Sequence, residues 1–166
     1  MDITKVSDSV FKIKGKTGFA TTNAEGPTLE SNTGDRSRSF TGAGEYEVAG
    51  ISVIGVKTDE TVVFVYEVDG LRICHLGKLT KKLSDSKVSQ IGDIDILFLP
   101  IGNESVEMMQ QIESYYVIPF GAENPEALDK FLKESGLTVE KLPKFALKKD
   151  EIIEDATAQI IILETK

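Results

Sequence analysis

The chain has 166 residues, with 27 aspartates and glutamates against 19 lysines and arginines, so its formal net charge is −8. That acidic balance argues against nucleic acid as a partner, because nucleic-acid recognition usually shows as clustered basic residues. No run approaches the roughly 20 apolar residues of a membrane span, and the first residues lack the basic-then-apolar pattern of a signal peptide. We therefore expect an acidic, cytoplasmic protein that does not bind membranes and forms a single domain over residues 1–166.

The chain contains one cysteine, Cys74, and one histidine, His75. A single cysteine excludes an internal disulfide framework and fits a reducing compartment. A conventional zinc site needs several histidine or cysteine ligands, which this chain does not have. We expect no cofactor.

The first half of the chain carries the patterns of β-hairpins. Alternation of polar and apolar residues predicts a strand over residues 10–15, with Gly18–Thr22 as its hairpin partner. A run rich in β-branched residues, 46–56, is broken at its centre and predicts a second hairpin. Residues 61–76 read TVVFVYEVDGLRICHL, and their Asp-Gly dipeptide is the one that a type I′ turn requires. The flanks of that turn are almost continuously apolar, so we expect this hairpin to be covered on both faces.

The second half alternates predicted strands with predicted helices. The strands are short apolar runs at residues 95–100, 115–119 and 158–163. One helix is predicted over residues 104–114 with Asn103 as its cap, and another begins at Asn124-Pro125 and ends at Gly136. A β-rich half followed by such units predicts an α/β or α+β layered fold.

Residues 23–39 differ from the rest of the chain because Leu29 is their only bulky apolar residue. A segment of this length that is rich in glycine, serine, asparagine and charge predicts a polar loop. Such a loop is either functional or simply a mobile part of the surface.

Two pairs of residues carry potential chemistry. Cys74 and His75 are adjacent on a strand, so they point to opposite faces and cannot act as a nucleophile and its base. We expect Cys74 in the core, whereas His75 ends its strand and either faces a cleft or is a structural histidine. Glu45 and Glu47 share one strand face, where they could act as acid and base, hold a hard cation, or form a solvated face.

Several phrases of the sequence, in order from residue 40 to the end, resemble the small zinc-dependent, lactonase-like hydrolases of the metallo-β-lactamase fold. The phrases are FTGAGEYEVAGISVIGV, DGLRICHLGK, GDIDILFLPIG, YYVIPFGAE and DKFLKESG. The resemblance implies a four-layer αββα sandwich, reduced in size, with an active site at the strand ends between the two sheets.

The sequence departs from this family at the positions that the resemblance assigns to metal. The His-x-His-x-Asp-His motif is absent, and residues 23–39 stand in its place. Lys78 stands where the family has a metal-bridging aspartate, and Gly121 stands where it has a metal-binding histidine. His75 matches a position that is not usually a ligand. The zinc that the family implies is therefore not expected here.

The resulting hypothesis is a metallo-β-lactamase-like pseudoenzyme that has lost its zinc centre and its hydrolytic activity. It would be retained as a binding or assembly domain for a protein partner, a second copy of itself, or a small anionic ligand near Lys78. The alternative is a hydrolase, with or without metal, whose site is rebuilt around His75 as general base, with Glu45 or Glu47 and Lys78 as orienting or anion-stabilising groups. Lys78 either replaces part of the charge of the metal or points to solvent.

Overall fold

The computed structural model describes residues 1–165 and contains two β-sheets that face each other. The first sheet has six antiparallel strands in the order β13-β1-β2-β3-β4-β5. These strands are β1 (Asp2–Ser7), β2 (Val10–Lys14), β3 (Gly18–Thr22), β4 (Thr28–Ser31), β5 (Ser37–Ser39) and β13 (Phe145–Ala146).

The second sheet has eight strands in the order β12-β14-β11-β10-β9-β8-β7-β6. These strands are β6 (Gly44–Val48), β7 (Ile51–Lys57), β8 (Val62–Val68), β9 (Leu71–His75), β10 (Ile96–Pro100), β11 (Tyr116–Phe120), β12 (Thr138–Leu142) and β14 (Gln159–Leu163). The strands from β6 to β9 are antiparallel, and those from β9 through β10, β11 and β14 to β12 are parallel. The helices are α1 (Asp85–Ile91), α2 (Ser105–Gln111), α3 (Pro125–Ser135) and a short 3-10 turn (Lys149–Glu151).

Two apolar layers hold these elements together. Between the sheets, Phe11 of β2 stacks on Phe98 of β10 with ring centroids 4.4 Å apart. On the other face of the eight-stranded sheet, each helix contributes one large buried side chain, namely Ile91, Met108 and Phe131. The facing sheets and the helical layer confirm the predicted mixed α/β layered fold.

The prediction of a four-layer αββα sandwich differs from the structure at the outer face of the six-stranded sheet, where the second helical layer is absent from residues 1–165. Within residues 1–165 no helix covers this face, because all three α-helices pack on the other sheet. Lys12, Thr21 and Thr28 lie side by side across the face and remain partly exposed. These polar side chains need no covering layer. In the part of the chain that is described, no helix is both long and apolar enough to cross a membrane.

The hairpins agree with the turn chemistry of the sequence. Asp69 and Gly70 both have positive φ, at 52° and 80°, as the type I′ turn between β8 and β9 requires. The turn between β6 and β7 has the same form, with Ala49 at 53° and Gly50 at 76°. Strands β8 and β9 are buried over most of their length, as predicted for a hairpin covered on both faces.

The prediction of a polar loop over residues 23–39 was wrong, because β4 and β5 lie inside this segment. Leu29 is fully buried between the sheets and pairs with Ala20 of β3. One apolar side chain thus anchors a strand whose other residues are polar, and the periodicity of the sequence cannot reveal such a strand.

The prediction of Asn103 as a helix cap was also wrong. Helix α2 begins one residue later than predicted, after Glu104, and no side chain caps its first turn. Instead the Ser105 hydroxyl accepts a hydrogen bond from the Gly102 N–H and lies 2.9 Å from the carbonyl oxygen of Pro100. Ser105 therefore ties the helix start to the end of β10.

Candidate functional site

Three parallel strands of the eight-stranded sheet end side by side, and the row of their carboxyl ends forms one edge of the sheet. This carboxyl-end edge is where α/β folds usually form their sites. Strands β9, β10 and β11 finish there at His75, Pro100 and Phe120. The turn between β3 and β4 reaches the same edge, since the carbonyl oxygen of Ala24 lies 3.6 Å from the point where a Cβ on Gly77 would sit. Loops from both sheets therefore meet at this edge.

His75 lies at this edge but faces the space between the sheets, where it is 1% exposed. Its Nδ1 accepts a hydrogen bond of 3.0 Å from the N–H of Gly77. The imidazole ring lies among the rings of Phe11, Phe98 and Phe120, with centroids 6.2, 5.4 and 4.7 Å away. Its Nε2 is buried and has no hydrogen-bond partner among the described residues.

Burial controls the protonation of His75. It lowers the pKa of the imidazole to about 4, although the backbone of Ser9 favours the protonated ring. At neutral pH the ring is therefore uncharged, and because Nδ1 is an acceptor the proton is assigned to Nε2. A base in this position cannot reach a substrate unless the aromatic packing opens.

Cys74 lies on the opposite face of β9, as predicted from the alternation of side chains along a strand. It is fully buried in the layer between the eight-stranded sheet and the helices. Burial raises the pKa of its thiol, so the reactive thiolate is disfavoured. Cys74 is a core residue.

Lys78 follows β9 and points outward from the same edge. Its ammonium forms an ion pair with the carboxylate of Glu25, in the turn between β3 and β4. The two side chains are 63% and 73% exposed. An ion pair this exposed to water contributes less than about 1 kcal/mol, so its interest is its position rather than its strength.

Glu45 and Glu47 lie on β6, which is the outermost strand on one side of the eight-stranded sheet, and both are exposed. The register runs from His75 across Phe64 of β8 and Gly55 of β7 to β6. Three strand spacings separate β6 from β9, which is about 14 Å. The structure therefore does not bring either carboxylate to His75 or to Lys78, and the pair forms a solvated strand face.

The structure also contains polar contacts that the sequence analysis missed. Glu25 was not singled out, although it is a carboxylate in the segment that faces Lys78. The Tyr66 hydroxyl donates a buried hydrogen bond of 2.5 Å to the Thr22 hydroxyl, which joins the two sheets beneath the same edge. Neither residue has a sequence signal, because a tyrosine and a threonine in strands are ordinary core or surface residues.

A cavity of about 750 Å³ lies at the other end of the parallel strands, beside the starts of β10, β11 and β14. At its wall the Lys149 ammonium lies 2.9 Å from both carboxylate oxygens of Asp95. Asp95 also accepts a hydrogen bond of 2.8 Å from the N–H of Arg72. This buried carboxylate is fully partnered and has a structural role.

The described residues, 1–165, contain no group of three or more histidine, cysteine, aspartate or glutamate side chains placed to hold a metal ion. The positions that the resemblance matches to metal ligands have the wrong chemistry. The Lys78 ammonium has no lone pair to offer while it is charged, and Gly121 has no side chain. The residues present therefore do not fit a dinuclear zinc centre.

Comparisons with known proteins agree with the fold. A family model described as a β-lactamase superfamily domain matches residues 21–121, which is more than half of the chain. A search of curated protein sequences finds no significant match.

Two solved structures are similar to this chain along its length. One is a candidate Zn-dependent hydrolase of the metallo-β-lactamase superfamily from Thermotoga maritima, with 21% sequence identity, 98% of each chain covered and a TM-score of 0.78. The other is a candidate metal-dependent hydrolase from Parabacteroides distasonis, with 11% identity, 96% of this chain and 100% of that chain covered, and a TM-score of 0.50. At these identities the likeness concerns the fold alone.

Proposed function

This chain belongs to the metallo-β-lactamase superfamily, and we propose that it is a member without a zinc centre and without hydrolytic activity, which acts as a binding or assembly domain. The observation that carries the proposal is the ion pair between Lys78 and Glu25. It occupies the edge where the resemblance places the metals, and it sets an ammonium at the position of a bridging carboxylate.

The chemistry of metal-dependent hydrolysis supports this proposal. A hydrolytic zinc centre holds a bound water with a pKa near 7 and polarises the scissile group. Both tasks need several neutral imidazoles and carboxylates around the metal. The only imidazole of this chain, His75, is buried among three phenyl rings and is 1% exposed.

The Lys78 ammonium would then take over a structural task. In the family, metal ions join the segment after β9 to the segment after β3, as the resemblance implies. Here the ion pair of Lys78 with Glu25 joins those two segments directly. The Lys78 ammonium also offsets the negative charge of Glu25 at this edge.

The alternative hydrolase, built around His75 with Glu45 or Glu47, requires an imidazole and a carboxylate within hydrogen-bond reach of each other. A spacing of three strands, about 14 Å, separates these groups. No contact of the described residues favours this alternative.

The proposal includes a cytoplasmic location, which the single cysteine, Cys74, supports.

The experiment that tests the loss of activity is a hydrolysis screen of untagged protein. Lactone, thioester, phosphodiester and β-lactam substrates would be assayed without added metal and with zinc or manganese. We expect rates equal to those of heat-denatured protein. Turnover that is retained through purification and lost in Lys78→Met would overturn the proposal.

A further inference from the structure

We propose that the groove between β5 and β6 binds an extended, acidic protein segment, which adds as a strand to the free edge of β5. The groove has a volume of about 590 Å³ and is lined by Asp35–Arg38 on one side and Glu47–Gly50 on the other. Strand β5 is the last strand of the six-stranded sheet, and all three of its residues are exposed. This inference deepens the binding role proposed above, on which it rests, by naming the class of partner.

The backbone of β5 offers a defined set of hydrogen-bonding groups. The two residues that flank β5 are hydrogen-bonded to the chain at β4. The Arg36 carbonyl accepts from the Ser31 N–H, and the Phe40 N–H donates to the carbonyl oxygen of Pro27. In an antiparallel pair the hydrogen-bonded residues alternate with the others. The N–H and carbonyl groups of Ser37 and Ser39 therefore point away from β4. They form the edge to which another strand can pair.

Two arginines stand on the groove side of this edge. Arg38 pairs with Leu29, whose side chain is fully buried between the sheets, so Arg38 faces the same inner side at the open end of the sandwich. Arg36 lies two residues earlier and shares that side. Both residues are exposed, and neither forms an ion pair within residues 1–165.

The carboxylate nearest in sequence to these arginines is already engaged. The Asp35 carboxylate accepts hydrogen bonds of 2.5 Å from the hydroxyls of Ser31 and Thr33, and these bonds lower the pKa of Asp35. It therefore remains ionised, and the charge of Arg36 contributes to its lowered pKa, although the two groups form no ion pair. Neither guanidinium is neutralised by a direct contact, so both can still meet a carboxylate of an occupant of the groove.

The opposite wall does not compete for the same strand. Around the type I′ turn at Ala49-Gly50, Val48 and Ile51 form a hydrogen-bonded pair, so the free backbone groups of β6 belong to Glu45 and Glu47. Because Val48 is buried, alternation directs the side chains of Glu45 and Glu47 to the other face of the sheet, although Glu47 also lines the groove. Their negative charges would repel an acidic strand, so the segment is expected to pair with β5 and not with β6.

The arginines select the occupant by charge. A neutral or basic strand paired with β5 would cover two guanidinium groups that have no counter-ion, which is costly. A strand with carboxylates at alternate positions would place them opposite Arg36 and Arg38 and form ion pairs that exclude water. The same two charges therefore reject most strands and admit an acidic one.

The test uses a fluorescein-labelled peptide of alternating threonine and glutamate, with glutamine and lysine analogues of the same length. Anisotropy should show binding of the glutamate peptide only. R36E/R38E should weaken binding by about tenfold or more. The matched control K130E/K133E, which changes the net charge equally on α3, should leave it within about twofold. No binding of the glutamate peptide, or equal loss in both variants, would overturn the inference.

A second pair of variants separates strand addition from simple charge attraction. Ser39→Pro removes an N–H that points away from β4, whereas Ser39→Ala keeps it, and both lose the hydroxyl contact with Thr28. We expect Ser39→Pro to weaken binding about tenfold relative to Ser39→Ala. Equal affinity of the two variants would overturn strand addition. Because metal content is measured separately, failure here leaves the proposed loss of the zinc centre standing.

Discussion

Lys78, three residues beyond the end of β9, is ion-paired with Glu25 in the turn between β3 and β4, so a direct charge contact links the two sheets at one edge. Under the same edge the Tyr66 hydroxyl bonds to Thr22, which is a second polar link between the sheets. His75 lies beside them with its ring enclosed by phenylalanines. Two polar protein contacts therefore join the two sheets at this edge.

The ion pair should show a small but measurable coupling energy. We expect Lys78→Met and Glu25→Gln to reduce the free energy of unfolding non-additively, with a coupling of up to about 1 kcal/mol because both groups are exposed. Urea unfolding of the two single variants and the double variant measures this coupling. The charge-swapped K78E/E25K protein should recover the wild-type value. Strict additivity of the single variants would show that the contact has no energetic role.

Reversing the charge at Lys78 should create a weak demand for a cation. Lys78→Asp places a second carboxylate near Glu25, so we expect the melting temperature to fall and to recover when millimolar calcium or manganese is added. Lys133→Asp, an exposed position on α3, is the control and should not respond to the cations. If Lys78→Asp kept wild-type stability and did not respond to cations, the view that Lys78 replaces metal charge would be refuted.

His75 should make stability depend on pH. Its pKa is about 4 in the folded protein against 6.5 in the unfolded chain, so between these values the unfolded chain binds more protons. The contribution of the buried neutral ring to the free energy of unfolding is fully present above pH 6.5. It is lost as the pH falls towards 4, by about 3 kcal/mol in total.

The measurement for His75 is the free energy of unfolding in urea between pH 7.0 and 5.0, a range chosen above most carboxyl titrations. In His75→Phe this part of the pH dependence should disappear, since no titrating ring remains. An unchanged slope in His75→Phe would mean that His75 is not buried as a neutral ring.

Removing one hydroxyl of the buried Tyr66–Thr22 pair should destabilise the protein more than removing both. Tyr66→Phe leaves the Thr22 hydroxyl without a partner at a site that is fully buried, so we expect a loss of about 1–3 kcal/mol. Thr22→Val likewise leaves the buried Tyr66 hydroxyl without its hydrogen-bond partner. The double variant, which removes both hydroxyls, should be more stable than either single variant in urea unfolding. A double variant whose loss equals the sum of both would contradict this.

The sequence allowed the fold type to be predicted because its strongest signals are local. The Asp69-Gly70 turn and the Asn124-Pro125 helix start are recognised by backbone requirements of two or three residues, and both are present in the structure. Strand β4 was missed because Leu29 is its only large apolar residue. Helix α1 was missed because its one buried residue, Ile91, gives no helical periodicity.

The candidate site could be predicted only in part. The replacement of ligand positions by Lys78 and Gly121 is readable from the sequence, as is the separation of Cys74 from His75 across a strand. The pairing of Lys78 with Glu25 is not, because 53 residues separate the two and no local pattern connects them. The enclosure of His75 likewise depends on Phe11, which comes from the other sheet.

The most direct test of the central claim is the metal content of untagged protein. The protein would be expressed with zinc, manganese and iron supplied, gel-filtered without chelator, and analysed for each element. The account predicts metal well below about one tenth of an atom per chain, because residues 1–165 contain no set of donors that would hold it through purification. Stoichiometric metal that survives dialysis would contradict the account and show that the carboxylates and His75 rearrange into a centre.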